Sequence, residues 1–338
     1  MKTLLPIVGK SLYRVTIWTF ALLLSVELLA FAGISISNYL IYGHFKEGSR
    51  VKYDPYALFL NVKGGRPTRN NPPDGTGRAV WMFGGSTMRG ATDDDAQTIP
   101  SHLAGEMNRD KMVLRFINFG ENSFNSLMEV KMFQRCSILE PETPAAVIFY
   151  DGANDSTYFS QYQTVNAHFG LRRMRGLIES YHGSLFGILK GLNAGIRASS
   201  TYEAYEKIRF TMQPLSSDDP VLHDFVHAVE QRYDYMAREC RYRGADFVLF
   251  WQPTRWTESA VPAEADAFTT FGANIQLVYS QLEARLSSKP YFVSLRGVLL
   301  GQDEAYARDG VHLTDKGRHI VAQAMAAQLR TRPGIFRP

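Results

Sequence analysis

The stretch Ala79-Val80-Trp81-Met82-Phe83-Gly84-Gly85-Ser86-Thr87 constrains the fold more than any other part of this chain. Five apolar residues stop abruptly at two glycines and a serine. Val80, Trp81 and Phe83 favour extended backbone, and the Gly-Gly stop argues for a short buried strand over a helix. Glycines there permit a tight turn with positive φ and close backbone approach. Ser86 is then presented at the carboxyl end of a strand, where open α/β sheets place their ligands. A serine hydroxyl needs a base to become a nucleophile, and the distant segment Asp309-Gly310-Val311-His312 supplies a histidine with an acidic neighbour.

The rest of the chain reads as the scaffold that joins these two points. Residues 98–108 have helical spacing at Ile99, Leu103 and Met107, and 113–119 read as a second strand ending at Gly120. A helix over 123–139 and a third strand over 145–150 follow, the strand running into Asp151-Gly152-Ala153-Asn154-Asp155. Helices over 221–243 and 263–287 alternate with strands over 245–251 and 291–295, and a last helix over 314–330 takes Thr314 as its cap. Strands alternating with helices imply a parallel sheet with helices on both faces. The expected fold class is therefore α/β, doubly wound, in three layers, flavodoxin-like, with five parallel strands ordered 2-1-3-4-5.

Ahead of this domain, residues 15–42 are apolar apart from Glu27, Asn38 and small hydroxyl residues. Such a run exceeds the roughly 20 residues that cross a bilayer. A transmembrane helix is expected, with 1–14 cytoplasmic because Lys2, Lys10 and Arg14 precede it, and with the remainder on the extracytoplasmic side, periplasmic in a bacterium. The competing reading is a signal peptide cleaved near Ala30-Phe31-Ala32, which exports the same residues. Glu27 in mid-span is costly unless it meets a partner, and helix association in a membrane complex would use it together with Ala30, Gly33 and Ser37. Residues 43–78, rich in Gly, Pro and Asn, read as a linker or an arm wrapped on the domain, with Tyr53-Asp54-Pro55-Tyr56 packing on it. The domain then covers 79–332, interrupted over about 156–220 by irregular helical pieces that include Arg172-Arg173-Met174-Arg175. So long an excursion at the ligand end of a sheet suggests a lid.

Composition excludes several classes. Of 338 residues, 45 % are hydrophobic and 21 % charged, which is ordinary for a folded protein and argues against disorder. The net charge of +4 is spread along the chain without a dense basic block, so nucleic acid is not an expected partner. Cys136 and Cys240 are the two cysteines, and no Cys/His spacing suggests a metal site. In strand order 2-1-3-4-5 the helices that carry them are neighbours, so a disulfide between them is one possibility in an exported domain. Asp93-Asp94-Asp95 point in successive directions and read as helix capping or solvation, not as metal ligands.

Four elements converge on the carboxyl edge of the sheet. Ser86 would attack a carbonyl carbon, His312 would take and return the proton, and Asp309 would hold the imidazole. The oxyanion would accept from the backbone N–H groups of Ser86 and Gly120 and from the Asn154 amide, and no cofactor or metal is called for. At these residues the chain resembles the GDSL or SGNH hydrolase family. Gly84-Gly85-Ser86-Thr87 is similar to its first block, Asn118-Phe119-Gly120 to its second, Gly152-Ala153-Asn154-Asp155 to its third and Asp309-Gly310-Val311-His312 to its fifth. Gly85 departs from the Asp of the name-giving motif. The resemblance spans about residues 79–330 and implies a serine esterase without cofactor. With the export signal, it suggests removal of acetyl or other short acyl groups from a carbohydrate such as a cell-surface polysaccharide. Transfer of the acyl group to a sugar hydroxyl, and a non-catalytic subunit of a membrane assembly, are the alternative readings. Of the other histidines, His102, His168, His182, His223 and His227 are expected to lack an acidic partner.

Overall fold

The computed structural model describes residues 5–43, 45, 51–61, 65–109, 113–183, 185–209, 213–258, 269–332 and 334. In chain order the elements are α1 (Leu5–Tyr42), β1 (Val51–Asp54), β2 (Leu58–Asn61), β3 (Arg78–Gly84), α2 (Ser86–Arg89), α3 (Ile99–Met107), β4 (Leu114–Asn118), α4 (Ser126–Leu139) and β5 (Ala146–Asp151). There follow α5 (Ala153–Tyr162), α6 (Leu171–Gly183), α7 (Gly187–Ala198), α8 (Ser200–Arg209), α9 (Pro220–Tyr242), β6 (Asp246–Trp251), α10 (Thr269–Leu286), β7 (Phe292–Ser294) and α11 (Asp315–Arg330). They form two compact units. One joins Met1–Gly48 to Gly170–Thr211, and the other joins Ser49–Phe169 to Met212–Pro338.

The second unit is built on a parallel sheet ordered β4-β3-β5-β6-β7, which is the expected 2-1-3-4-5 order once the hairpin β1-β2 is set aside. β3 and β5 are central and buried almost throughout, so they read as continuous apolar runs without alternation. Val80 and Met82 point to one face, into a core with Ile99 and Leu103 of α3 and with Val321 and Met325 of α11. Trp81 and Phe83 point to the other. There Phe83 stacks on Phe119 with centroids 5.3 Å apart, and Phe133 of α4 meets Trp81 and Phe83 edge-on. Helices therefore cover both faces, and every strand ends its carboxyl terminus on the same edge. The helix expected over 263–287 is α10; residues 263–268 lie outside the described residues.

Residues 51–61 and 65–77 form an arm within the second unit. The Asn71 side chain donates to the Phe116 carbonyl and accepts from its N–H, at 2.8 and 2.9 Å, and so imitates a further strand along the edge of β4. The packing expected of Tyr53 and Tyr56 is not found: Tyr53 is 79 % exposed. What docks is Asp54, which caps the turn through the N–H groups of Tyr56 and Ala57 and pairs with Arg135, together with Ala57, Phe59 and Leu60. Cys136 and Cys240 are both free thiols, each buried in its own helix. The helices do pack side by side as expected, but no bond joins them. Of the aspartate run, Asp94 caps a short helical turn and Asp95 pairs with Arg66 and Arg69.

The first unit holds α1 with α6, α7 and α8. Within α1, the residues Tyr13–Ile41 are long and apolar enough to span a membrane. The helical excursion expected over 156–220 divides: α5 belongs to the second unit, where it packs on α10, and α6–α8 belong with α1. Glu27 is not a bare carboxylate. It accepts from the N–H groups of Ser200 and Thr201 at 2.6 and 2.9 Å and from the Thr201 hydroxyl at 2.7 Å, so it sits on the first turn of α8.

Candidate active site

Ser86 follows β3 after the single residue Gly85 and opens the four-residue helix α2. The two glycines before it are required for space and not for a left-handed backbone, since Gly85 has φ −76°. A Cβ on Gly84 would stand 2.6 Å from the Met88 Cβ, and one on Gly85 would stand 2.4 Å from Asn154 Nδ2. At position 85 the Asn154 amide occupies the volume that a side chain would need.

His312 lies on the loop before α11. Ala307 N–H donates to the His312 carbonyl, Arg255 N–H to that of Gly310, and Gly310 makes the turn with φ +67°. Thr314 accepts from Gly317 N–H as the cap of α11. Although 226 positions separate them, Ser86 Oγ and His312 Nε2 are 2.7 Å apart. On the other side of the ring, Nδ1 is 2.5 Å from Asp309 Oδ2. The second Asp309 oxygen accepts from the N–H groups of Val311 and His312 at 3.0 and 2.9 Å. Burial opposes the charge of Asp309, but the hydrogen bond and charge of His312, with these two N–H groups, outweigh it and hold the carboxyl below its usual value.

The expected oxyanion donors differ in what they are already bonded to. Ser86 N–H belongs to the first turn of α2, where no intrahelical acceptor exists. Asn154 Nδ2 uses one hydrogen on the Phe124 carbonyl at 2.6 Å, which leaves the second for another acceptor. Gly120 N–H is already given to the Asn118 side chain at 2.9 Å. Asn118 is a residue that sequence reasoning did not single out. Its amide also donates to the Met88 carbonyl, tying the end of β4 to α2. The signal that would have found it is a polar residue closing an apolar strand, Leu114-Arg115-Phe116-Ile117-Asn118, inside the second sequence block.

Beneath this edge lie buried charges that the motifs did not announce. Asp155, next to Asn154, accepts from the N–H and hydroxyl of Ser126 and so fastens the start of α4; burial nevertheless raises its pKa. Asp151 accepts from the Tyr233 hydroxyl at 2.9 Å, and burial pushes it up to about 7. Burial raises Glu129 well above the usual carboxyl range, with the Asp151 charge adding to it. Arg89 pairs with Glu121 at 3.3 Å, yet burial raises Glu121 more than the guanidinium lowers it.

Among the described residues no cluster of three or more His, Cys, Asp or Glu side chains could hold a metal ion. The expectation that the other histidines lack acidic partners is wrong for two of them. His102 Nε2 is 2.9 Å from Asp315, and His227 is 3.7 Å from Glu230. His168 and His223 bond backbone carbonyls.

No known family profile matches the sequence, and no curated protein does. Solved structures with a similar arrangement include that of TesA, 13 % identical over 76 % of this chain and 99 % of that one, with a TM-score of 0.44. They also include a member of the lipolytic protein G-D-S-L family from Veillonella parvula DSM 2008, 13 % identical over 75 % and 98 %, TM-score 0.42. A third is Axe2, an acetylxylan esterase from Geobacillus stearothermophilus, 14 % identical over 75 % and 95 %, TM-score 0.42.

Proposed function

We propose that this chain is a serine ester hydrolase of the SGNH type, held in a membrane by α1, that removes short acyl groups from a carbohydrate outside the cytoplasm. The observation that carries the reading is the hydrogen-bonded line Ser86 Oγ, His312 ring, Asp309 carboxylate, assembled from the two ends of the second unit. His312 Nε2 takes the hydroxyl proton as Ser86 Oγ bonds to the ester carbon, and Asp309 stabilises the imidazolium through Nδ1–H. The tetrahedral oxygen collects hydrogen bonds from Ser86 N–H and the second Asn154 hydrogen, and from Gly120 N–H as it turns from Asn118. Each such donor supplies about 3 kcal/mol. Collapse breaks the bond to the alcohol, which leaves with the proton from His312. Water, deprotonated by the same ring, then cleaves the acyl-Ser86 ester and restores the hydroxyl.

The carbohydrate part of the proposal is supported by the four sequence blocks together with the apolar amino terminus. The orientation is supported by Lys2, Lys10 and Arg14 ahead of the span. In purified protein, Ser86→Ala is expected to lower turnover of para-nitrophenyl acetate by roughly 10⁴-fold or more, and to abolish labelling by a fluorophosphonate probe. Unchanged turnover in Ser86→Ala would overturn the assignment.

A further inference from the structure

The helix α7 is inside out by the rules of a water-soluble protein. Its twelve residues have three polar side chains, Lys190, Asn193 and Arg197, spaced along one face, and these are the only positions of α7 that are not exposed. They turn inward toward α6. Lys190 lies over the Tyr181 ring at 4.5 Å, and Arg197 donates to Ser180 Oγ at 2.9 Å and to the Tyr202 hydroxyl at 3.0 Å. Arg197 fits there because Gly176 of α6 has no Cβ to meet its guanidinium. Leu185, Phe186, Ile188, Leu189, Leu192 and Ile196 face outward, Ile188 at 87 % exposure. Polar groups satisfied inside and aliphatic groups outside is the arrangement that hydrocarbon selects, since charges there must be paired within the protein.

The depth of this segment can be bounded from Glu27. The apolar stretch Tyr13–Ile41 has 29 residues, about 43 Å at 1.5 Å per residue, against about 30 Å of hydrocarbon. Glu27 stands midway along it. Wherever the bilayer sits on that stretch, Glu27 is at least about 8 Å inside the hydrocarbon. Ser200 and Thr201 donate to its carboxylate, so the corner between α7 and α8 lies at the same depth. The contact solves two problems at once. The first N–H groups of α8 have no intrahelical acceptor and no water in lipid, and the carboxylate takes those of Ser200 and Thr201 as donors. The positive end of the α8 dipole adds to the match.

From this inside-out helix and the depth of its corner we infer that α6, α7 and α8 are a second membrane element, dipping into the bilayer with the apolar face of α7 against acyl chains. The inference rests on α1 spanning the membrane. It is tested by spin-labelling full-length protein in phosphatidylcholine vesicles at Ile188→Cys, at Leu23→Cys on α1 and at Tyr242→Cys, and comparing collision with oxygen and with a water-soluble nickel chelate. These positions are 87 %, 64 % and 90 % exposed, so the labels leave the packing intact. Burial raises the thiols of Cys136 and Cys240 to about 12, which keeps both out of the labelling reaction. The expected result is that Ile188 and Leu23 favour oxygen and Tyr242 favours nickel. If Leu23 favours oxygen but Ile188 favours nickel, the inference falls and the span stands. If Leu23 itself favours nickel, the anchor falls and the inference with it. If neither reagent reaches Ile188, another protein covers α7 and the inference falls.

Discussion

At position 85 there is no volume for a side chain, and this makes Gly85 a positioning residue for Asn154. An alanine Cβ would stand 2.4 Å from Asn154 Nδ2 and 3.1 Å from the Phe124 carbonyl to which that amide donates. One of the two must move, and the amide is the easier. Gly85→Ala is therefore expected to lower kcat for para-nitrophenyl acetate by about tenfold or more, the scale of losing much of one oxyanion donor, with KM and the melting temperature little changed. A drop in melting temperature with kcat preserved would show that the backbone moved instead. The motif spelled out Ser86, Asp309 and His312 because each sits at the end of an element, where spacing and local chemistry agree. It was silent on Asn118, because nothing in the order of residues says that an amide turns back onto the N–H two positions on.

At the scale of elements, α4, β5, α5 and α9 meet over Glu129, Asp151, Asp155 and Tyr233. Burial raises all three carboxyls, the Asp151 group to about 7, with Arg232 as the nearby cation that lowers Asp155. Among the described residues no donor reaches either Glu129 oxygen, and the Asp151 charge adds to the burial that raises its pKa. In the unfolded chain the same groups ionise near 3.8 to 4.5. The folded state thus binds more protons between about pH 4.5 and 7, and stability from this cluster is full below that window and drains away as pH rises through it. Asp309, held low, has the opposite sign: its contribution is present at neutral pH and lost as pH falls below the ordinary aspartate range. Glu129→Gln keeps the shape and removes one titration, so its melting temperature is expected to fall less between pH 5 and 7.5 than that of the wild type. Equal slopes in a pH series of thermal melts would show that Glu129 does not titrate with folding. The five sheet strands were legible to within one or two residues, because glycines and polar residues punctuate buried runs. The hairpin β1-β2 was not. Its four-residue strands lie in a segment of charges and turn formers, and they exist because Asp54 and Phe59 find partners far away in sequence.

For the whole molecule, the division into two units separates chemistry from apolar surface. Ser86, Gly120, Asn154, Asp309 and His312 all lie in the second unit, while α1 and α6–α8 lie in the first. The apolar run at 15–42 was plain in the sequence, and it is a helix long and apolar enough to span a membrane. The sequence hid the kinship of α1 with 171–209, because three short helices with scattered basic residues look like a solvated lid until Glu27 is seen bonded to the start of α8. A chain that lacks residues 1–44 keeps the outward apolar face of α7 and leaves the first N–H groups of α8 without their carboxylate. It is therefore expected to sediment with phosphatidylcholine vesicles and to need detergent for purification. Removing 171–209 as well, across a flexible Gly/Ser connector, takes away that face and leaves the sheet, its helices and the whole Ser86–His312–Asp309 line. The doubly shortened protein is expected to stay in the supernatant and to hydrolyse para-nitrophenyl acetate at the full-length rate. If the singly shortened chain is already free of vesicles, the apolar face of α7 has no use for lipid once α1 is gone. If the doubly shortened one is folded but inactive, α6–α8 contribute to the chemistry after all.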